Sequence, residues 1–296
     1  MIPNLKAQSK WGWLVAAYLF LAGLGAGAYV TGAVAGFLPA EQWAGVAKIG
    51  VSLGFPCVLI GCVFLLADLG SPTKFWRAWL RPNTSWIARG TLIITIFMIL
   101  SAIHIALGVC SDSLAESAGL RHLLSGLGIL FAVGTMVYTG ILLAASRPIA
   151  FWSTALLPIL FLVSALSTGI MAVILIAKMG SSVTDLQIHM LTTADVLLII
   201  LEILVLIFYL QGTHRVPESR ASAQLVLVGS VAPLFWWGVA VLGLIAPMVF
   251  DLLFGLPVIA SICGIAGGLC LRQVVLCGGI HAPLRVGRFE IGLPNV

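Results

Sequence analysis

The sequence predicts an all-α integral membrane protein with eight transmembrane helices, and three observations carry that prediction. Hydrophobic residues make up 61% of the 296 and charged residues only 8%, with a mean hydropathy of +1.15; soluble domains carry about a quarter charged residues. Apolar runs of 18 or more residues recur along the chain, each long enough to cross a hydrocarbon core of roughly 30 Å as a helix. The short alternating segments of a transmembrane β-barrel are absent.

The expected spans are 12–37, 46–67, 87–110, 121–145, 152–177, 190–210, 225–249 and 256–278, within one polytopic membrane domain over residues 1–296. Short connections leave no room for a separate soluble domain, so any soluble catalytic machinery belongs to another chain. Span 1 follows Lys6 and Lys10, and Ala26-Gly-Ala28 resembles a signal-peptide cleavage site. Apolar residues continue through Phe37, so a retained helix is expected. Its GLGAGAY stretch offers Gly23 and Gly27 as a small-xxx-small pair for close helix contact. Span 2 ends at Asp68, span 3 holds His104, span 4 places Tyr138 near its end, and span 6 holds Asp195, Glu202 and Tyr209. Prolines 56, 158, 233 and 247 fall in or near spans, where kinks are common. Span 8 holds Arg272 and the stripe Cys263, Cys270, Cys277, whose seven-residue spacing suits a packing seam. The six cysteines contain no C-x-x-C pair and show no zinc or iron–sulfur spacing.

Eight spans put both termini on one side. That side carries Lys6, Lys10, Lys74, Arg77, Arg81, Arg89, Arg147, Arg215, Arg220, Arg285 and Arg288, eleven basic residues against Lys48, Arg121 and Lys178 on the other. The positive-inside rule makes the terminal side cytoplasmic. A basic face also suits an acidic partner, and counting does not separate the two causes.

The loop DLGSPTKFWRAWLRPNTSWIARG, residues 68–90, concentrates four of the fifteen basic residues and three of the nine tryptophans. Ser71-Pro72 reads as a helix start and Arg81-Pro82 as a stop. Between them, Phe75, Trp76 and Trp79 share one arc while Lys74, Arg77 and Arg81 occupy another. A short helix lying in the membrane interface is expected, rings toward lipid. An aromatic anchor with topology-setting charge explains all of this except Asp68 at the membrane boundary.

Ionisable residues inside a bilayer are costly, so each is a functional candidate. Asp68, His104, Asp195, Glu202 and Arg272 form that set. An Arg272–Glu202 pair would lower the cost of both groups if spans 6 and 8 are neighbours. The same residues with Asp68 would make a proton relay, with His104 and Asp195 as further members. Of five histidines only His104 lies well inside a span, so paired axial ligands for a haem are not expected. No P-loop is present to energise transport.

Four segments together resemble the NrfD/polysulfide-reductase membrane-subunit family: WGWLVAAYLFLAGLGAGAY (11–29), DLGSPTKFWRAWLRPNTSWIARG (68–90), YTGILLAASRPIAFWSTALLPILFLVSALSTG (138–169) and GLCLRQVVLCGG (268–279). The resemblance implies eight helices arranged as two four-helix bundles, with no haem and no iron–sulfur cluster in this chain. It implies electron exchange with a quinone or menaquinone pool, through a ferredoxin-like iron–sulfur partner and a molybdopterin catalytic subunit, at the inner (cytoplasmic) membrane. Tyr138 matches a quinone-pocket tyrosine late in helix 4, and Asp68 matches the acidic residue of the DLG motif. Some members add a histidine before helix 1; here LKAQSKWGW has none, leaving Gln8, Lys10 or Trp13 to supply that hydrogen bond. Glu202 and Arg272 look like charged positions that the family places inside its helices. Relatives carry their partners outside the cytoplasm on the quinone-site face, which makes the basic face periplasmic, against the charge count.

The expected function is therefore quinol oxidation or quinone reduction at the basic face. Tyr138 and Asp68 would serve the quinone oxygens, Asp68, Glu202 and Arg272 would move protons, and Lys74, Arg77, Arg81 and Arg89 would hold the iron–sulfur subunit. The lipid bilayer is the other partner, and no nucleic acid is expected. A secondary transporter or ion channel built around Glu202 and Arg272 is the rival reading, and a passive anchor is a third.

Overall fold

The computed structural model describes residues 11–68, 85–110, 118–145, 149–180, 183–213, 216–280, 284–286 and 289–291. Eight helices are long and apolar enough to cross a membrane: α1 (Trp13–Ala35), α2 (Ala40–Asp68), α3 (Trp86–Cys110), α4 (Ala118–Ala144), α5 (Leu156–Met179), α6 (Asp185–Gly212), α8 (Leu234–Phe254) and α9 (Pro257–Cys277). A shorter helix, α7 (Pro217–Leu227), lies between α6 and α8. Near the C-terminus β1 (Leu284–Val286) and β2 (Phe289–Ile291) pair antiparallel, Arg285 opposite Glu290.

Helices α1 and α5 form the centre, with most of each hydrophobic stretch buried, while the other spans turn at least half of theirs outward. Helix α1 packs on α2, α4 and α5, and α5 packs on α1, α4, α6 and α9. Glycine makes the central contact possible. A side chain at Gly27 would meet the backbone of Ala165, and one at Gly169 would meet the backbone of Gly27. Gly23 faces Ala165 one turn earlier, so the small-residue pair read from α1 is the seam against α5. Close backbone approach is how membrane helices gain packing energy where lipid is as apolar as the side chains.

The seventh span departs from its expected bounds of 225–249. Residues 217–227 form the separate helix α7, which begins with Pro217 and buries Ser219, Ser222, Ala223 and Val226, one face at helical spacing. Gly229 and Val228 both donate to the Gln224 carbonyl, ending α7, and Trp236 Nε1 donates to Leu227 O at 3.0 Å. The apolar run LVLVGSVAPLFWW hides this break because both pieces are hydrophobic. The fifth span likewise starts at Leu156 and not at 152. Trp152 turns inward instead, fully buried, donating Nε1–H to Val275 O at 2.7 Å and stacking on Trp11 at 5.4 Å.

Much of α8 is wound as a π-helix, over Leu234–Ile245 and again over Phe250–Phe254. It runs along α9, where Gly243 lies against Gly267. Gly255 then turns the chain with φ +60, a conformation that glycine adopts without cost.

Candidate functional site

Two buried polar sites emerge. Tyr138 lies six residues before the C-terminal end of α4 and is buried. Its ring occupies the space where Gly90 of α3 has no side chain, so any Cβ at Gly90 would overlap it. Two residues later Gly140 lies against Pro158 of α5, which locks α4 at this height. Tyr18 of α1 is buried beside it, with the Tyr138 phenol and Cys62 of α2 within electrostatic reach of its own.

Other residues singled out in the sequence sit around this end. Trp13 is exposed and packs edge-on against Phe64 of α2 at 6.0 Å. Asp68 is the exposed last residue of α2. The Arg89 guanidinium lies over the Trp86 ring at 4.8 Å, one turn apart on α3. Gln8, Lys10, Lys74, Arg77 and Arg81 lie outside the described residues.

The second site is a row of polar side chains held by α5, α6, α8 and α9. Asp195 and Glu202 are seven residues apart on α6, two turns along one face and about 10 Å in height. Ser164 and Ser167 of α5 oppose them. Ser167 Oγ donates to Asp195 Oδ1 at 2.7 Å. Arg272 Nη1 donates to Ser164 Oγ at 2.5 Å, and Ser164 and Glu202 line the same small cavity. Arg272 also donates to Gly268 O at 3.2 Å and Phe161 O at 3.4 Å, with its guanidinium 5.1 Å from the Phe161 ring centre.

The arginine and glutamate are therefore neighbours without a direct ion pair, and Ser164 stands between them. A small cavity of about 10 Å³ opens beside them, with Ser164, Ser167, Thr168 and Glu202 as its polar wall. That volume is about what one water needs. Asp251 lies near the end of α8, with Oδ1 buried and without a partner.

His104 joins neither site. Its Nδ1 is hydrogen-bonded with the Tyr29 hydroxyl at 2.9 Å, in the opposite-side half of α1 and α3, and Tyr29 also donates to Leu124 O at 3.4 Å. Among the described residues no group of three or more His, Cys, Asp or Glu side chains is placed to hold a metal ion.

A family model described as "Polysulphide reductase, NrfD" matches residues 2–283. The chain belongs to the NrfD family. One component of the polysulfide reductase of Wolinella succinogenes is 29% identical over 91% of this chain and 94% of its own length. Protein NrfD of Escherichia coli is 28% identical over the same shares. One component of the selenate reductase of Mesobacillus selenatarsenatis is 24% identical over 94% of this chain and 76% of its own length. The segments that carry the NrfD resemblance meet one another in space: Gly90 with Tyr138, Gly23 and Gly27 with Ala165, and Trp152 with both Trp11 and Gly279.

Sequence reasoning did not single out Ser164, Ser167, Tyr18, Tyr29 or Asp251. A signal existed for the serines: a three-residue spacing on α5 matches one face, as the seven-residue spacing of Asp195 and Glu202 does on α6. Asp251 escaped because the expected span ended at 249, two residues short of it.

Proposed function

We propose that this chain is the haem-free membrane subunit of a respiratory oxidoreductase complex, exchanging electrons between quinone and quinol and an iron–sulfur partner subunit that serves a molybdopterin catalytic subunit. The observation that carries this reading is the buried Tyr138 phenol, its ring fixed by the space at Gly90 of α3, at the end of the molecule that also holds Asp68 and Arg89. A phenol held in this way can donate a hydrogen bond to a ligand oxygen. The relatives' names support the setting, since two of them denote one part of a larger reductase.

Quinol oxidation releases two electrons and two protons. Tyr138 donates a hydrogen bond to one ring oxygen, and Asp68, at the same end of the molecule, accepts a proton released there. Arg89 stands at this end, with Lys74, Arg77 and Arg81 in the adjoining loop, to draw the iron–sulfur subunit to the terminal face. The electrons leave through that subunit, and reversal of the same steps reduces quinone. Glu202 and Arg272 serve proton movement in the second half of the molecule.

Tyr138→Phe keeps the ring that fills the space at Gly90 and removes only the hydroxyl. The complex purified with its partners should assemble normally while quinol-dependent reduction of its iron–sulfur centres falls by tenfold or more. Unchanged quinol kinetics would sink the role of Tyr138. The bonded row around Glu202 favours a second reading, an ion transporter. Ion flux through liposomes holding this protein alone, with no quinol-dependent reduction in the complex, would select it.

A further inference from the structure

Asp195 and Glu202 lie on one face of α6, about 10 Å apart in height, too far for a proton to pass between them directly. Helical side chains lean toward the helix N-terminus, so the longer Glu202 side chain reaches back toward Asp195. Helices α5, α8 and α9 build what lies in the remaining gap. Asp195 is fully buried; Oδ1 accepts from Ser167 Oγ at 2.7 Å, and Oδ2 is buried with no partner. Ser167 is therefore the neighbour through which Asp195 meets the rest of the row. Ser167 also lines the small cavity on which Glu202 stands, together with Ser164 and Thr168.

Size and wall chemistry decide what that cavity suits. Its volume of about 10 Å³ fits one water and excludes larger ligands. A buried water makes roughly two to four hydrogen bonds, and the wall supplies a carboxylate and three hydroxyl-bearing residues. Glycine closes the other side: a side chain at Gly267 would meet the Gly243 backbone, and one at Gly268 would meet Thr168. Val239 and Gly243 belong to the π-wound part of α8, and π-helical turns cluster at functional sites. Charge separates water from a metal cation. The Arg272 guanidinium already reaches the wall, donating to Ser164 at 2.5 Å, and it would repel a second cation. A neutral molecule that both donates and accepts is what hydroxyls and a carboxylate call for.

We infer that the cavity binds one water, and that this water and Ser167 join Asp195 and Glu202 into a single proton-exchanging unit. The route rests on the proton role proposed for Glu202 and Arg272, and it gives that role a second carboxyl and a path to it. Three hydrogen bonds of about 2.8 Å each, from carboxyl to water to serine to carboxyl, span about 8 Å, of the order of the gap along α6. A proton leaving Glu202 adds to the water, a water proton passes to Ser167 Oγ, and the Ser167 proton passes to Asp195 Oδ1. Water and serine each give one proton as they gain one, and no electron moves.

Infrared spectroscopy of the purified complex with its partner subunits tests the route without turnover. Protonated carboxyl groups absorb apart from other protein bands, and Asp195→Asn and Glu202→Gln assign the two bands. After transfer to deuterated water, the Asp195 band shifts as its proton exchanges, and the rate of that shift is the readout. Ser167→Ala should slow the exchange about tenfold, whereas Ser167→Thr keeps a hydroxyl and should stay within about twofold of the parent. Glu202→Gln should slow it as well. Val239→Ile adds one carbon at the cavity wall, enough to displace a water, and leaves the Ser167–Asp195 bond alone. It should slow exchange as much as Ser167→Ala while the Asp195 band keeps its parent position, which a purely structural serine would not produce. The water should give an O–H band that shifts in heavy-oxygen water and is lost in Val239→Ile. Parent-like exchange in Ser167→Ala and Val239→Ile would overturn the proposal. So would the lack of an Asp195 acid band, or loss of the water band when sodium replaces potassium. If the bands behave as expected while quinol fails to reduce the iron–sulfur centres, the relay stands and the quinone reading falls.

Discussion

Tyr138 and Glu202 are both buried polar side chains facing neighbouring helices, yet their surroundings differ. Tyr138, among the first four spans, is held by shape: its ring fills the space at Gly90 of a neighbouring helix. Glu202, among the last four, stands in a polar row, on the same small cavity as Ser164, which accepts from Arg272. The difference follows from what each group costs when buried. A neutral phenol without a partner costs a few kcal/mol at most, so a protein can leave it open for a ligand. A charge in a bilayer costs more than that and has to be compensated at all times. A binding site can therefore be built on the first kind of residue, and a standing relay on the second.

The comparison breaks most easily at Arg272. Arg272→Leu removes the cation that compensates Glu202 and leaves Ser164 without its donor. Removing one partner of a buried charge pair typically costs about 3–5 kcal/mol, which should show as a clear drop in the denaturation midpoint in detergent. The double variant Glu202→Leu with Arg272→Leu removes both charges and should recover most of that loss. A single variant as stable as the parent would mean that the row is not mutually supporting.

Gly90→Ala probes the other half. The added methyl has no space except by moving the Tyr138 ring, and overpacking of this kind costs about 1–3 kcal/mol. Quinol-dependent turnover should fall more than stability does, because the displaced hydroxyl loses its place. Gly126→Ala is the control: a methyl there meets open space and should change neither quantity. Equal loss of turnover in both variants would show that shape at Gly90 is not what fixes the tyrosine.

The two halves also differed in how much of them could be read from sequence. Eight apolar runs announce eight spans, because a bilayer demands about 20 apolar residues from each helix. The break before α8 stayed hidden, since the end of α7 and the start of α8 are both apolar where they meet at LVLVGSVAP. Tyr138, Glu202 and Arg272 stood out because polar groups are rare in this chain. What joins them did not stand out. Ser164 and Ser167 are common residue types on a mostly apolar helix, and their role exists only once α5 lies against α6 and α9. Gly90 shows the same limit: its lack of a side chain matters because of a ring that is 48 residues away in sequence.

The smallest expected effect lies at Tyr29. Its side chain is fully buried, with the hydroxyl bonded to His104 at 2.9 Å and donating to Leu124 O at 3.4 Å, while its ring packs edge-on against Phe97 at 5.2 Å. Tyr29→Phe keeps the ring and deletes both bonds. Hydrogen bonds between membrane helices are worth about 0.6 kcal/mol on average and roughly 1.7 at most, so a slight fall in the denaturation midpoint is expected. Quinol-dependent turnover should not change, because Tyr29 lies toward the face away from Tyr138 and bonds only groups at that end. A tenfold loss of turnover with stability intact would place a second functional polar group among the first four spans. The division between an open neutral site in one half and a bonded charged row in the other would then have to be redrawn around His104.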